Sequence, residues 1–188
     1  MNNPKIDIRL IVVSVIILLV ALSRLFPIMP NFSPIGAMAL FGAAFFSKRW
    51  QALILPLVAV WASDLLINNI LYKQYFPEFT LFYSGFYWQY GSFLVITLLG
   101  LTLFKKLNAT RVAGGILGSS LIFFLISNFG VWLGSTVYPQ NFQGLIACYV
   151  AGIPFLKGTL LSDAFYTTVL FGAYFIAQSR IPALKTAK

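Results

Sequence analysis

The sequence predicts an all-α membrane protein, a single bundle of six transmembrane helices. Three observations point there. Hydrophobic residues make up 60% of the chain and charged residues only 9%, whereas soluble domains run near 25% charged. The apolar residues gather into successive runs, most of them close to the roughly 20 residues that cross a bilayer. The basic residues collect at the ends of those runs. At 188 residues, the chain suits one transmembrane domain, 1–188, and not two. A net charge of +9 would suggest nucleic acid in a soluble protein. Here Lys and Arg at helix ends account for it, so the expected surface partner is the lipid bilayer and not nucleic acid. No histidine is present, which excludes imidazole chemistry. A lone cysteine, Cys148, permits neither an internal disulfide nor a cysteine metal cluster and reads as a small buried side chain. No motif calls for a cofactor or a metal, and no Gly-rich Lys-Ser/Thr loop could hold ATP.

The first helix is expected at about 8–26. Lys5 and Arg9 before an apolar run suggest a signal peptide. The run leads to Arg24 and Phe26 instead of a small-x-small cleavage site, so a retained helix is expected. Pro27, Pro30 and Pro34 then make a stiff loop, with Pro34 suited to the first turn of the next helix. The second helix, about 34–47, is short for a span. Its Gly36, Ala39, Ala43 and Ser47 form a ridge of small residues suited to close helix approach, either inside the bundle or against a partner membrane protein. The third helix covers 50–72. The aromatic-rich stretch 73–85 suits the membrane–water interface or a lid. The fourth and fifth helices fall at about 86–104 and 111–133, the latter with a Gly114/Gly118 packing pair. Residues 145–155 are apolar but too short to span and are interrupted by Gly152 and Pro154, which predicts a re-entrant or interfacial segment before the last helix, about 158–178. With the N-terminus inside, Lys5, Arg9, Lys48, Arg49, Lys105, Lys106, Arg111, Arg180, Lys185 and Lys188 are all cytoplasmic. The positive-inside rule therefore places both termini in the cytoplasm of a multi-pass protein of the bacterial inner membrane.

Polar side chains inside apolar helices are costly, and Asp64 in the middle of the third run costs roughly 2.5–3.5 kcal/mol on insertion scales. Asn68 lies one turn on, with Trp61 beside them. In this topology Arg24, Asp64, Asn68 and Asn128 fall late in outward-running helices, with Trp132 nearby. Thr159, Asp163, Tyr166 and Thr167 fall early in the inward-running last helix and share a face. All lie in the outer half. Several helices with polar faces at one depth predict a pocket roofed by the outer connections. Both charge signs and many aromatics suit a small zwitterionic molecule with a flat apolar part. The bland alternative is that the charges pair with each other or snorkel to the surface.

The run Asn31-Phe32-Ser33-Pro34-Ile35-Gly36-Ala37-Met38-Ala39-Leu40-Phe41-Gly42, then Ser63-Asp64, Asn128-Phe129-Gly130-Val131-Trp132, Tyr149 to Pro154 and Asp163, resembles an uncharacterised family of small bacterial integral membrane proteins. That family in turn is distantly similar to the S components of energy-coupling-factor vitamin transporters. The resemblance implies an S-component-like six-helix fold. It also implies capture of a small molecule from outside, beneath the loop that carries Asn31, and docking to a transmembrane coupling subunit with cytoplasmic ATPases. Two departures stand out. S components often carry an Ala-x-x-x-Ala face on the first helix, and here the small ridge lies on the second. The metal-uptake branch uses an N-terminal histidine, which this chain lacks.

The expectation is thus a transport protein and not an enzyme, a substrate-binding membrane subunit. Its candidate substrate-binding residues are Arg24, Asn31, Trp61, Asp64, Asn68, Asn128, Trp132, Thr159, Asp163, Tyr166 and Thr167, with Gly36, Ala39, Ala43 and Ser47 docking a partner. The alternatives are a self-sufficient proton-coupled carrier in which Asp64 and Asp163 titrate, a structural membrane subunit, or an intramembrane aspartyl pair.

Overall fold

In the computed structural model, which describes residues 7–184, the chain folds into six α-helices with no strand among the described residues. They are α1 (Ile8–Leu22), α2 (Ile35–Phe45), α3 (Arg49–Leu66), α4 (Phe86–Leu103), α5 (Ala109–Gly134) and α6 (Phe142–Arg180). A 3₁₀ turn, Ser23–Leu25, prolongs α1, and a π turn, Ile67–Leu71, prolongs α3. Five helices are long and apolar enough to cross a bilayer, and α2, with 11 residues, is not. The six-helix plan therefore consists of five full-length helices around one half-length helix. Lys5, Lys185 and Lys188, counted for the topology, lie outside the described residues.

Side chains start and stop these helices where the backbone leaves groups unpaired. The Asp7 carboxylate accepts from the Leu10 amide at 3.1 Å. Asn108 accepts from the Arg111 amide and Asn141 from the Gly144 amide, each at 2.9 Å. The Lys48 amide donates to Gln51 Oε1 at 3.1 Å at the start of α3. Gly85, at φ +80°, turns the chain into α4 through a left-handed conformation that side chains disfavour. At the basic end, Arg9 Nε donates to the Phe45 carbonyl at 2.6 Å, and Arg111 Nη1 to the Leu103 carbonyl at 3.1 Å. The last turns of α2 and α4 thereby receive cations from other helices, which complements their dipoles.

Helix α2 is the axis of the bundle. Every residue from Ile35 to Gly42 is buried, and α2 packs against all five other helices. Leu19, Val58, Leu98, Leu117 and Ile176 point outward from those neighbours and are exposed, the pattern of a bundle solvated by hydrocarbon. The ridge expected to dock a partner is instead used inside the bundle. Gly36 faces α5 and α6, and Ala43 meets Gly100 of α4 so closely that a Cβ on Gly100 would lie 2.6 Å from Ala43 Cβ. Ala39 is fully buried. Ser47 lies beyond the end of α2 and is exposed.

A second correction concerns 145–155. This is no re-entrant piece but part of α6, which runs unbroken for 39 residues, about 58 Å at 1.5 Å per residue. Gly152 and Pro154 do not break it. Gly152 lets α6 approach α5, where a Cβ would strike Asn128. Pro154 sits on the exposed side of α6, where it removes one hydrogen bond of the ladder and the helix continues through it.

Gly100→Val should overpack the α2–α4 contact and cost about 1–3 kcal/mol, read as a lower unfolding temperature in detergent. Gly114→Val, at a position with open space around it, should leave that temperature nearly unchanged.

Candidate functional site

Because α2 is only about 16 Å long, it fills half the axis of the bundle. Its N-terminus needs an acceptor, and Pro34 supplies no side-chain cap. Asp163 of α6 takes that place. Its carboxylate is 1% exposed and accepts from Ser120 Oγ at 2.8 Å, with the Ser119 hydroxyl and the Ala37 backbone amide facing it. A negative group at a helix N-terminus is favoured by the helix dipole. Gly36 leaves room for the carboxylate, and a Cβ there would collide with Asp163 and Ser119. Asp163 is therefore a clamp on α2.

Asp64 is satisfied in a different way. Arg24 Nη2 donates to Asp64 Oδ1 at 2.6 Å. Tyr90 Oη donates to Oδ2 at 2.7 Å and Gln89 Nε2 to the same oxygen at 3.4 Å. Arg24 Nη1 also donates to the Val60 carbonyl at 3.1 Å and to Ser63 Oγ. The pair is almost wholly buried, which suits two charges only when each is paired and hydrogen-bonded. The Tyr83 hydroxyl, in the connection before α4, is raised above its ordinary pKa by burial and then by the nearby Asp64 charge.

Above α2 the axis is open. A cavity of about 620 Å³ lies over Ile35, walled by Arg24, residues 26–33, Ile67, Tyr72, Gln89 and Phe123. Two more, of about 340 Å³ and 500 Å³, share Phe123 with it, so the three meet around one ring. The 340 Å³ cavity also shares Asn31 with the first and reaches Asn128, Tyr138, Cys148 and Gly152. The 500 Å³ cavity shares Gln89 with the first and reaches Tyr83, Trp88 and Ser127. The roof segment 26–34 is fixed at one end. Ser162 Oγ donates to the Ser33 carbonyl, the Pro30 carbonyl sits against Gly158 where no Cβ fits, and Phe32 packs on Tyr166 at 5.5 Å.

The expected residues divide accordingly. Arg24, Asn31 and Asn128 line the cavities. Asp64 and Asp163 line none of them and hold structure. Trp61 Nε1 donates to the Leu81 carbonyl and Trp132 Nε1 to the Pro139 carbonyl, so both indoles pin connections. Tyr166 Oη accepts from Ser23 Oγ at 3.0 Å. Thr159 donates back to the Phe155 carbonyl at 3.3 Å. Thr167 is buried with its hydroxyl unpartnered. Asn68, in the π turn, is 7% exposed and its Nδ2 has no partner. Its neighbour Asn69 ties the 73–85 connection through Thr80, accepting from its amide at 2.7 Å and donating to its carbonyl at 2.9 Å. The residues missed from sequence are Gln89, Tyr90, Phe123 and Ser120. Gln89 and Tyr90 were legible as polar groups early in an otherwise apolar run. Phe123 carried no signal, being one apolar residue among many.

Fold and cavities together define a class: a multi-pass helical membrane protein with a walled chamber at the end opposite its basic face. The chain belongs to the DUF6580 family, a family of unknown function, which it matches over residues 4–184. No curated protein and no solved structure matches it.

Asp64→Ala should strand Arg24 in the bundle and cost about 3–5 kcal/mol. The double variant Arg24→Gln with Asp64→Asn should recover most of that loss, read as non-additive unfolding temperatures. Asp163→Ala should lower stability by about 1–3 kcal/mol by removing the acceptor for Ser120 and the start of α2.

Proposed function

We propose that the chain is a transport protein, the substrate-binding membrane subunit of an uptake system. In this reading it captures a small vitamin-like or zwitterionic molecule from the outside. The observation that carries the reading is the 620 Å³ cavity over the start of α2, within the range of small-molecule sites. Its walls mix apolar and aromatic side chains with a few polar groups, the usual composition of such sites. Arg9, Lys48, Arg49, Lys105, Lys106, Arg111 and Arg180 gather at the opposite end. By the positive-inside rule that end is cytoplasmic, and the cavity then faces outward from the inner membrane with both termini inside.

Energy would come from a separate coupling subunit with its ATPases. The likeness to energy-coupling-factor S components suggests that partner, and α1 is the helix it would meet. Ile11, Val15, Leu18, Leu19 and Leu22 of α1 are exposed, a face of large side chains in place of a small-residue seam. The titrating carrier receives less support, because neither aspartate reaches a cavity.

The test is mass spectrometry of small molecules retained by the purified protein after incubation with spent growth medium. The wild-type chain should retain a compound in near-stoichiometric amount. Ile67→Trp, which fills the wall of the large cavity, should retain about tenfold less at unchanged unfolding temperature. Equal retention by both chains, or none by either, removes the reading.

A further inference from the structure

Resting on the reading of the chamber as a substrate site, we infer that it takes a flat apolar molecule through an anionic carboxylate, held by Arg24, and rejects the corresponding amine. Of the described residues that line the three cavities, Arg24 alone is charged. Its five N–H donors are not exhausted. Nη1 serves the Val60 carbonyl and Ser63, and Nη2 serves Asp64 with one of its two hydrogens. The Nε–H and the second Nη2 hydrogen remain. Asp64 neutralises the charge of the pair, but its oxygens serve Arg24, Tyr90 and Gln89 and it lines none of the three cavities, so the chamber meets the donors of the pair and not its acceptors.

One uncharged group is also left open. Ser33 Oγ, which can donate to a carboxylate, lines the large cavity and is buried without a partner. Each buried unpaired group costs about 1–3 kcal/mol, and a ligand bringing acceptors offsets part of that cost. An amine brings further donors to a guanidinium that can only donate. The rings of Phe26, Phe32, Tyr72 and Phe123 on the same walls suit a planar body.

The test uses the full chain in lipid nanodiscs and three probes with one ring system: 1-naphthylacetate, its neutral amide and 1-naphthylethylamine, each titrated by calorimetry. The carboxylate should bind about tenfold or more tighter than the amine, with the amide between them. Arg24→Gln with Asp64→Asn, which removes both charges and keeps a hydrogen bond, should abolish that preference and bring the three probes within about threefold of one another. Should the double variant not fold, the ranking on the wild-type chain decides alone. Equal binding of the three probes, or tighter binding of the amine, overturns the inference and leaves the chamber as a site. Saturation by none of them removes the site, and the inference with it.

Discussion

The contact between the Asp163 carboxylate and the start of α2 is the constraint on which the rest of the structure depends. A helix that begins inside a bundle leaves its first amides without backbone partners. Asp163, supported by Ser120, lets α2 begin at half height. The surrounding helices are full-length, so the remaining height becomes chamber. Gly36 belongs to the same arrangement, since the carboxylate occupies the volume a side chain would need.

The Arg24–Asp64 pair works at a similar depth on the other wall. It is a wall element first: its hydrogen bonds join the end of α1 to α3, while Tyr90 and Gln89 bring in α4. The cost of burying two charges is met by saturating the carboxylate, and that saturation is asymmetric. The acid lines none of the three cavities, while Arg24 borders the large one.

Much of the fold was legible in the residues. Periodic apolar runs and basic ends place α1, α3, α4 and α5 within a few residues, because hydrocarbon burial and charge exclusion act on every helix alike. The level that the sequence suggests for Arg24, Asp64, Asn128 and Asp163 is not a single one: Asn128 meets Gly152 of α6, about 16 Å along that helix from Asp163. What each side chain faces was not legible either. Asp163 and Arg24 look alike in sequence as costly groups at one depth, yet one is sealed beneath α2 and the other borders a void. The difference depends on α5 and α2, which are remote in sequence. Gly152 and Pro154 misled for a related reason. Both commonly end helices, but here the glycine serves contact with Asn128 and the proline lies on an open face. Small residues on α2 pointed to an interface without naming its other side, and that side is α4, α5 and α6.

The unbroken course of α6 has a mechanical consequence. Pro154 leaves the Val150 carbonyl without its helical donor, so bending stiffness is lowest there. Above that joint, Cys148, Ala151 and Gly152 form part of the wall. Below it, Asp163 fastens the shaft to the core. The upper arm is itself held on α5, where Cys148 Sγ and Tyr149 Oη donate to the Asn128 and Leu125 carbonyls at 3.4 and 2.8 Å, so the weakened turn lies between two fastened stretches of one helix.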